Sequence, residues 1–258
     1  MKLCIMQNRY KLLALILVLG CWWGLSKIYS PLVVPPISSV TKKIIEILSQ
    51  ASSWEEIFST LIRMTSGFFF GIFVGCVTGI TGGVYPVFKE IWKPILGIIQ
   101  VVPPISWLIL AIIWFGFNGK ASIFIVALAV LPTISICLMD GIAKIDCKLV
   151  EMGKVFLFPP IKMLLFIYIP SVLPHLFSGL KIALGTACKT VIMGEVLTTT
   201  SGIGGKIMTA RLNIEPETVI AWTVIMVAMY YAVVLLGKDL SRWEKKSYVK
   251  NQGAKKGI

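Results

Sequence analysis

The chain has 258 residues, of which 57% are hydrophobic and only 14% are charged. A soluble domain carries nearer about a quarter charged residues, so a soluble globular protein is excluded. Several stretches of roughly 18 or more mostly apolar, uncharged residues instead indicate a polytopic membrane protein. Because backbone groups in lipid must be paired internally, and because these runs are too continuously apolar for barrel strands, we expect an all-α fold.

The hydropathy pattern predicts six transmembrane helices in a single membrane domain over residues 1–258. The predicted spans cover residues 12–29, 64–86, 94–116, 121–139, 171–197 and 218–237. The first has two interpretations. Residues 18–21 resemble a lipoprotein cleavage box, which would make it a removable signal sequence. Trp22 and Trp23 carry the apolar run past that box, which favours a retained first helix.

Residues 30–63 are mixed in polarity and open with three prolines. Their apolar positions Val40, Ile44, Ile47 and Leu48 recur at helical spacing. The pattern predicts an amphipathic helix that lies on the membrane surface.

A glycine ladder runs through the second predicted span. Gly67, Gly71, Gly75 and Gly79 recur every four residues and form a strip without side chains along one helix face. Such a strip lets another helix backbone approach closely, so we interpret it as a helix-packing surface, with a pore lining as the alternative.

Between the fourth and fifth predicted spans, residues 140–170 form a long loop of mixed polarity. One side of its first part carries Leu149, Met152 and Phe156, and another carries Lys148, Glu151 and Lys154. Pro159-Pro160 breaks this short helix, and Pro170 marks the start of the next apolar run. A short helix whose apolar face is turned to water needs a partner.

The formal net charge of +13 alone would suggest nucleic acid, but the positions of the charges indicate membrane topology instead. Of the 25 Lys and Arg residues, 16 fall on the side of the two termini and six on the other side of a six-span protein. The excess predicts that both termini and the 140–170 loop lie in the cytoplasm. We expect no nucleic-acid partner.

Enzymatic signals are weak. Residues 201–206, Ser-Gly-Ile-Gly-Gly-Lys, resemble part of a phosphate-binding loop, but Thr200 stands where the first glycine is required and Ile207 follows the lysine. The six cysteines and the lone His175 have no metal-ligand spacing. We therefore expect no cofactor, no metal and no catalytic residue.

Two ionisable residues fall inside the fifth predicted span. Lys189 and Glu195 are costly in lipid, so we expect them to face the bundle interior. Six residues separate them, which places them on different helix faces. They are candidates for a translocation path, with structural pairing to other helices as the alternative.

The 140–170 loop resembles the shared cytoplasmic motif of the integral-membrane permeases of binding-protein-dependent ABC importers. That motif starts with Glu-Ala-Ala, has a Gly six residues after the Glu, and closes with a Leu-Pro-like pair. Here Glu151 is the Glu, and Pro170, nineteen residues later, closes the pair. Met152 and Gly153 stand in place of the two alanines, and Leu157 in place of the glycine.

The segments 101–116 and 171–195 and the pair Arg242-Trp243 are similar to the branch that imports nitrate, sulfonates and taurine. The resemblance implies a type I importer permease with six helices and a cytoplasmic coupling helix between spans four and five. It implies a small anionic or sulfonate-like solute, with a thiamine precursor or riboflavin as alternatives.

The resemblance also implies partners. Two copies of the chain would form the path, and cytoplasmic ATPase subunits would hold the ATP. The coupling helix at Glu151 would dock in an ATPase groove through Leu149, Met152 and Phe156. A substrate-binding protein would dock outside, near residues 30–63 and 198–217.

Two other classes of protein are less consistent with the sequence. An ATPase-independent secondary transporter would need matching inverted repeats, which we do not find. A membrane enzyme would need clustered His, Asp or Cys residues.

Overall fold

A computed structural model describes residues 2–236, so Arg242-Trp243 and the predicted basic C-terminal tail lie outside the described residues. Within 2–236 all regular secondary structure is helical. The helices are α1 (Lys2–Ile28), α2 (Ile37–Ser49), α3 (Ala51–Val84), α4 (Pro86–Val101), α5 (Pro104–Phe115), α6 (Gly119–Ala143), α7 (Cys147–Val155), α8 (Pro160–Met163), α9 (Ile169–Thr198), α10 (Gly202–Leu212) and α11 (Pro216–Leu236). A π-helical segment, Leu164–Tyr168, joins α8 to α9.

Four helices of the described part are long and apolar enough to cross a membrane: α3, α6, α11 and the continuous helix of residues 160–198. The bent pair α4 and α5 raises the number to five if it is one span. The described apolar part of α1, Ile16–Ile28, is shorter than the about 20 residues that a crossing needs. The prediction of an all-helical membrane protein is confirmed, whereas the six spans are matched only in part.

The third predicted span is a pair of helices that meet at an angle of 94°. Because Pro103 and Pro104 have no N–H group, α4 cannot continue through them. Residues 87–93, which fall between the second and third predicted spans and include Lys89 and Lys93, are helical and do not form a loop. Both lysines lie inside α4, which already begins at Pro86.

The prediction for residues 30–63 is wrong in extent, because α3 begins at Ala51 and contains the second half of this segment. The first half forms α2, whose Val40 and Ile47 are buried in the same apolar cluster as Trp222 of α11. The apolar face of α2 is therefore covered by the chain itself. Trp22 of α1 donates a hydrogen bond through Nε1 to the carbonyl of Pro35 at 3.1 Å, just before α2.

The helix that contains the fifth predicted span, residues 171–197, begins well before Pro170. The backbone N–H of Ile169 donates to the carbonyl of Leu164 in a π-turn, and the chain stays helical from residue 160 to 198. The wider π-turn accommodates the proline, which cannot donate to the preceding turn.

The glycine ladder of α3 packs on α6, and all four of its glycines are buried. A Cβ atom on Gly71 would lie 2.7 Å from the carbonyl oxygen of Ala127, and one on Gly79 would lie 2.9 Å from Cβ of Leu138. The two backbones are therefore in contact with no room for a side chain. The hydroxyls of Thr78 and Ser135 add a hydrogen bond of 2.7 Å across the same interface.

Candidate functional site

A buried ion pair joins α3 to α9. Glu195 has no exposed side-chain surface, and its carboxylate accepts a hydrogen bond from Nη1 of Arg63 at 2.8 Å. The same carboxylate accepts hydrogen bonds from the hydroxyl of Thr60 at 2.8 Å and from the backbone N–H of Gly204 at 3.0 Å. A buried charge is tolerated when a counter-charge and further donors satisfy it. Of the two interpretations of Glu195, the geometry favours pairing between helices.

The same carboxylate binds the N-terminus of α10 together with two side chains of α3. The backbone N–H of Gly202 donates to Glu56, and that of Ile203 donates to the hydroxyl of Thr60 at 2.8 Å. The first amides of a helix lack intrahelical acceptors and carry partial positive charge. The segment that resembles a phosphate-binding loop therefore binds the protein's own carboxylates, Glu56 and Glu195.

Arg63 extends the cluster to the turn before α10. Its Nη2 donates to Oγ of Ser201 at 2.7 Å, and its Nη1 donates to the Ser201 carbonyl at 3.1 Å. A second ion pair, between Lys206 and Glu56 at 3.1 Å, lies on the more exposed edge. We name the set Glu56, Thr60, Arg63, Glu195 and Ser201 the outer clamp. The sequence analysis did not identify Arg63 as the partner of Glu195. The available signal was a single arginine at the edge of the second predicted span and a single acid inside the fifth.

Lys189 lies elsewhere on α9. It is exposed on the single chain, and no described residue forms an ion pair with it. Ser178 and Thr186 occupy the same side of the helix, which the rest of the chain leaves largely uncovered. The structure thus separates Lys189 from Glu195, as their six-residue spacing predicts.

The helix α7 presents apolar side chains to the outside of the chain. Met152 is 44% exposed and Phe156 is 69% exposed, whereas Leu149 is half-buried. Val155, which the sequence analysis did not select, is exposed as well. Glu151 is exposed on the neighbouring face.

Gly153 faces the opposite way and holds α7 against the following helix. It is buried, and a Cβ atom there would contact Met163 and lie 2.8 Å from Ile167. A small residue at this position lets α7 lie close to the start of the long helix. Pro170 is one turn further along that helix, beyond the π-turn.

Leu157 has a left-handed backbone, with φ of +51°. It follows the C-cap Phe156, and its N–H donates to the Lys154 carbonyl at 3.0 Å while that of Phe158 donates to the Gly153 carbonyl at 2.9 Å. These two bonds are the Schellman arrangement, in which glycine is the usual residue. Leu157 therefore has the conformation that glycine usually has at this position of a Schellman motif, and its side chain is 88% exposed.

Comparison with known proteins identifies the class. The family model described as binding-protein-dependent transport system inner membrane component matches residues 67–242, and the chain belongs to this family. It is thus a membrane component of a transport system.

Individual relatives agree with this assignment. The chain is 25% identical over 235 residues to the taurine transport system permease protein TauC of Escherichia coli, covering 88% of this chain and 86% of the relative. It is 26% identical over 220 residues to the putative aliphatic sulfonates transport permease protein SsuC of Bacillus subtilis, covering 84% of this chain and 80% of that relative. A solved structure of an inward-facing MetNI methionine ABC transporter has the same fold, with a TM-score of 0.56 and 19% identity over 77% of this chain and 96% of that chain.

Proposed function

We propose that the chain is the permease subunit of an ATP-driven importer and that α7 is its coupling helix. The observation that carries this proposal is the exposed apolar end of α7, closed by a left-handed residue at the position of the motif glycine. A short helix at this place, with its apolar side chains in water, is suited to a groove on a partner.

The partner is a cytoplasmic ATPase subunit, which binds and hydrolyses the ATP. Met152 and Phe156 are the anchors, and the exposed Val155 and Leu157 extend the same surface. Leu149 is half-buried, so it contributes less to the ATPase contact than the sequence suggested. The permease itself needs no cofactor.

We infer the membrane topology by counting the bent α4–α5 pair as one broken crossing and the whole 27-residue helix α1, rather than its apolar part Ile16–Ile28 alone, as another. Six crossings then place both termini and α7 in the cytoplasm of a bacterial inner membrane, in agreement with the distribution of Lys and Arg. On the opposite side lie α2, α10 and the outer clamp. An extracytoplasmic substrate-binding protein docks on that side.

A second copy of the chain completes the translocation path. Charged side chains in a span avoid lipid and face either protein or water. Because Lys189 is exposed on the single chain, its side of α9 faces a second copy or the path between two copies. Glu195, which is enclosed in the outer clamp, supports this path without lining it.

The solute is a small organic sulfonate. The support for this assignment is the match to permeases named for taurine and aliphatic sulfonates over most of their length. These names favour the sulfonate branch over thiamine precursors and riboflavin.

Co-purification with the ATPase encoded beside the chain tests the proposal. We expect the wild type to retain the ATPase in detergent, and Met152→Asp or Phe156→Asp to release it because a charge would be desolvated at the contact. Leu212→Asp at the exposed end of α10 is the matched control, and it should retain the ATPase. A wild type that purifies alone and takes up taurine into proteoliposomes without ATP would contradict the importer assignment.

A further inference from the structure

The long helix of residues 160–198 changes its hydrogen-bonding pattern shortly after its start. Over Leu164–Tyr168 the ladder is π-helical, and the N–H of Ile169 donates to the carbonyl of Leu164. A π-turn contains one residue more than an α-turn, and such turns are rare and often lie at functional sites. The next residue, Pro170, has no N–H group, so the backbone ladder has a gap directly after the π-turn.

A side chain bonds to the backbone beside this gap. Oγ of Ser171 donates to the carbonyl of Ile167 at 2.6 Å. Serine bonds of this kind often bend helices, as do prolines and π-turns. The rest of the chain covers this stretch poorly, since only Ile167 of the five π-helical residues is buried and Phe166 is 68% exposed. Residues 164–171 therefore combine three features that make a helix easy to bend, and we name them the joint.

The helix before the joint, together with the first turn of the joint, packs on α7. Gly153 of α7 is buried against Met163 and Ile167, and a Cβ atom on this glycine would lie 2.8 Å from Cδ1 of Ile167. Close-packed groups transmit displacement to one another. The helix α7 and the beginning of the joint therefore form one unit.

The helix beyond the joint packs on α6 instead. Gly141, near the end of α6, lies against Val172 and His175, and a Cβ atom on it would lie 2.9 Å from Cβ of His175. One turn further along, a Cβ atom on Gly179 would lie 3.0 Å from Cβ of Cys137. The glycine ladder holds α6 against α3, and the outer clamp connects α9 to α3. The helices α3 and α6 and the part of α9 beyond the joint therefore form a second unit.

We propose that the joint is a hinge across which α7 moves relative to the unit of α3, α6 and α9. Hinges are short segments that absorb a change in backbone angles while the packed elements on either side stay intact. The joint has this arrangement, with a weakened ladder between two closely packed contacts. The inference rests on the proposed function, in which α7 binds the ATPase, and it adds the segment that bends when the ATPase moves α7.

Distances between spin labels test the hinge in the permease–ATPase complex in nanodiscs. One label replaces Lys148, which is exposed on α7, and the other replaces Lys120, which is exposed at the start of α6. Attachment through p-acetylphenylalanine leaves the native cysteines in place. We expect ATP with vanadate to shift this distance. Labels at Lys120 and Ile182 are the control pair, because both lie in the second unit, and their distance should not shift.

A shortened variant tests whether the joint is responsible for the shift. Deletion of Phe166 combined with Pro170→Ala removes the extra residue of the π-turn and the gap in the ladder, so an α-helix can run through the joint. This variant should retain the ATPase, because α7 is unchanged, but it should lose the shift of the Lys120–Lys148 distance.

Two results would overturn the hinge. One is persistence of the shift in the shortened variant, and the other is no shift in a wild type that retains the ATPase and takes up taurine with ATP. A wild type that does not retain the ATPase would overturn the proposed function instead.

Pro170→Ala alone is a milder variant that keeps the length of the chain. Its N–H group can add one hydrogen bond, so the amides of the joint should exchange with deuterium about fivefold more slowly than in the wild type. Pro174→Ala is the matched control, because Pro174 lies in the same helix but beyond the contact of Val172 with α6. Exchange in the joint should be unchanged in this control. Equal exchange of the joint in Pro170→Ala and the wild type would also overturn the hinge, since the gap would then not loosen the helix.

Discussion

The carboxylate of Glu195 lies 3.0 Å from the backbone nitrogen of Gly204, and this hydrogen bond connects the end of α9 to the beginning of α10. A Cβ atom on Gly204 would lie 2.5 Å from Cβ of Glu195, so no larger residue allows the two helices to approach this closely. Because Arg63 pairs with the same carboxylate, one acid holds α3, α9 and α10 together.

Glu195→Ala should destabilise the protein severely. Removing one member of a buried ion pair typically costs about 3–5 kcal/mol, because the remaining charge stays buried without its partner. Arg63, whose side chain is only 15% exposed, would be that charge. Unfolding of the purified protein by SDS in mixed micelles measures the effect.

The other ion pair of the region provides the control. Lys206→Ala breaks a pair whose lysine is 40% exposed, and exposed pairs contribute about 0–1 kcal/mol.

The double variant Arg63→Met/Glu195→Ala should lose less stability than the two single variants combined, since neither charge is then buried without its partner. Strict additivity would show that the two residues do not interact.

Gly71→Leu should separate α3 from α6. A side chain there meets the Ala127 carbonyl and Val130, and overpacking of a closed interface costs about 1–3 kcal/mol. Gly97 of α4 has nothing within 4 Å of its Cβ position, so Gly97→Leu should be neutral or stabilising. Thermal unfolding in detergent compares the two, and equal stability of both variants would exclude close backbone packing at Gly71.

Leu157→Gly should raise stability. A non-glycine residue in the left-handed region costs about 1–2 kcal/mol, which glycine avoids. Ile214, with φ of +59°, closes α10 in the same way and serves as the matched position for Ile214→Gly. If Leu157 also contacts the ATPase, Leu157→Gly alone should stabilise the free permease while weakening co-purification, whereas Ile214→Gly should only stabilise. A decrease in the melting temperature of either variant would contradict the proposed strain.

Asp146→Ala should fray the start of α7. The carboxylate of Asp146 accepts the backbone N–H of Lys148 at 3.0 Å as an N-cap, and loss of such a cap costs about 1 kcal/mol. Hydrogen exchange of residues 147–156 should increase in this variant. Asp146→Asn retains an acceptor oxygen, so the amide protons of α7 should exchange in this control as they do in the wild type. If the α7 amides of Asp146→Ala were protected as well as those of the wild type, the cap would not stabilise the helix.

The parts of the fold that local chemistry determines were predictable. The fourth predicted span, residues 121–139, lies inside α6, whose start Asn118 caps ahead of the apolar run. The break between α4 and α5 follows from the missing N–H groups of Pro103 and Pro104. At Pro170 a π-turn accommodates the proline and the helix continues, which the sequence pattern did not indicate.

The outer clamp could not be derived from the sequence. Arg63 and Glu195 are 132 residues apart, and no periodic pattern links them. Hydropathy indicated only that an intramembrane acid needs a partner. The left-handed conformation of Leu157 was not predicted from the sequence, since leucine rarely has a positive φ.

The contact between α3 and α6 also limits how the permease can move. Gly67 of α3 lies directly against the Ile123 carbonyl of α6, and Gly79 lies against Leu138. If α3 slid along α6, the side chains next to these glycines would clash with the α6 backbone. The two helices should therefore travel as one rigid body. Changes between inward and outward openings would then be taken up at other contacts, such as the bend between α4 and α5.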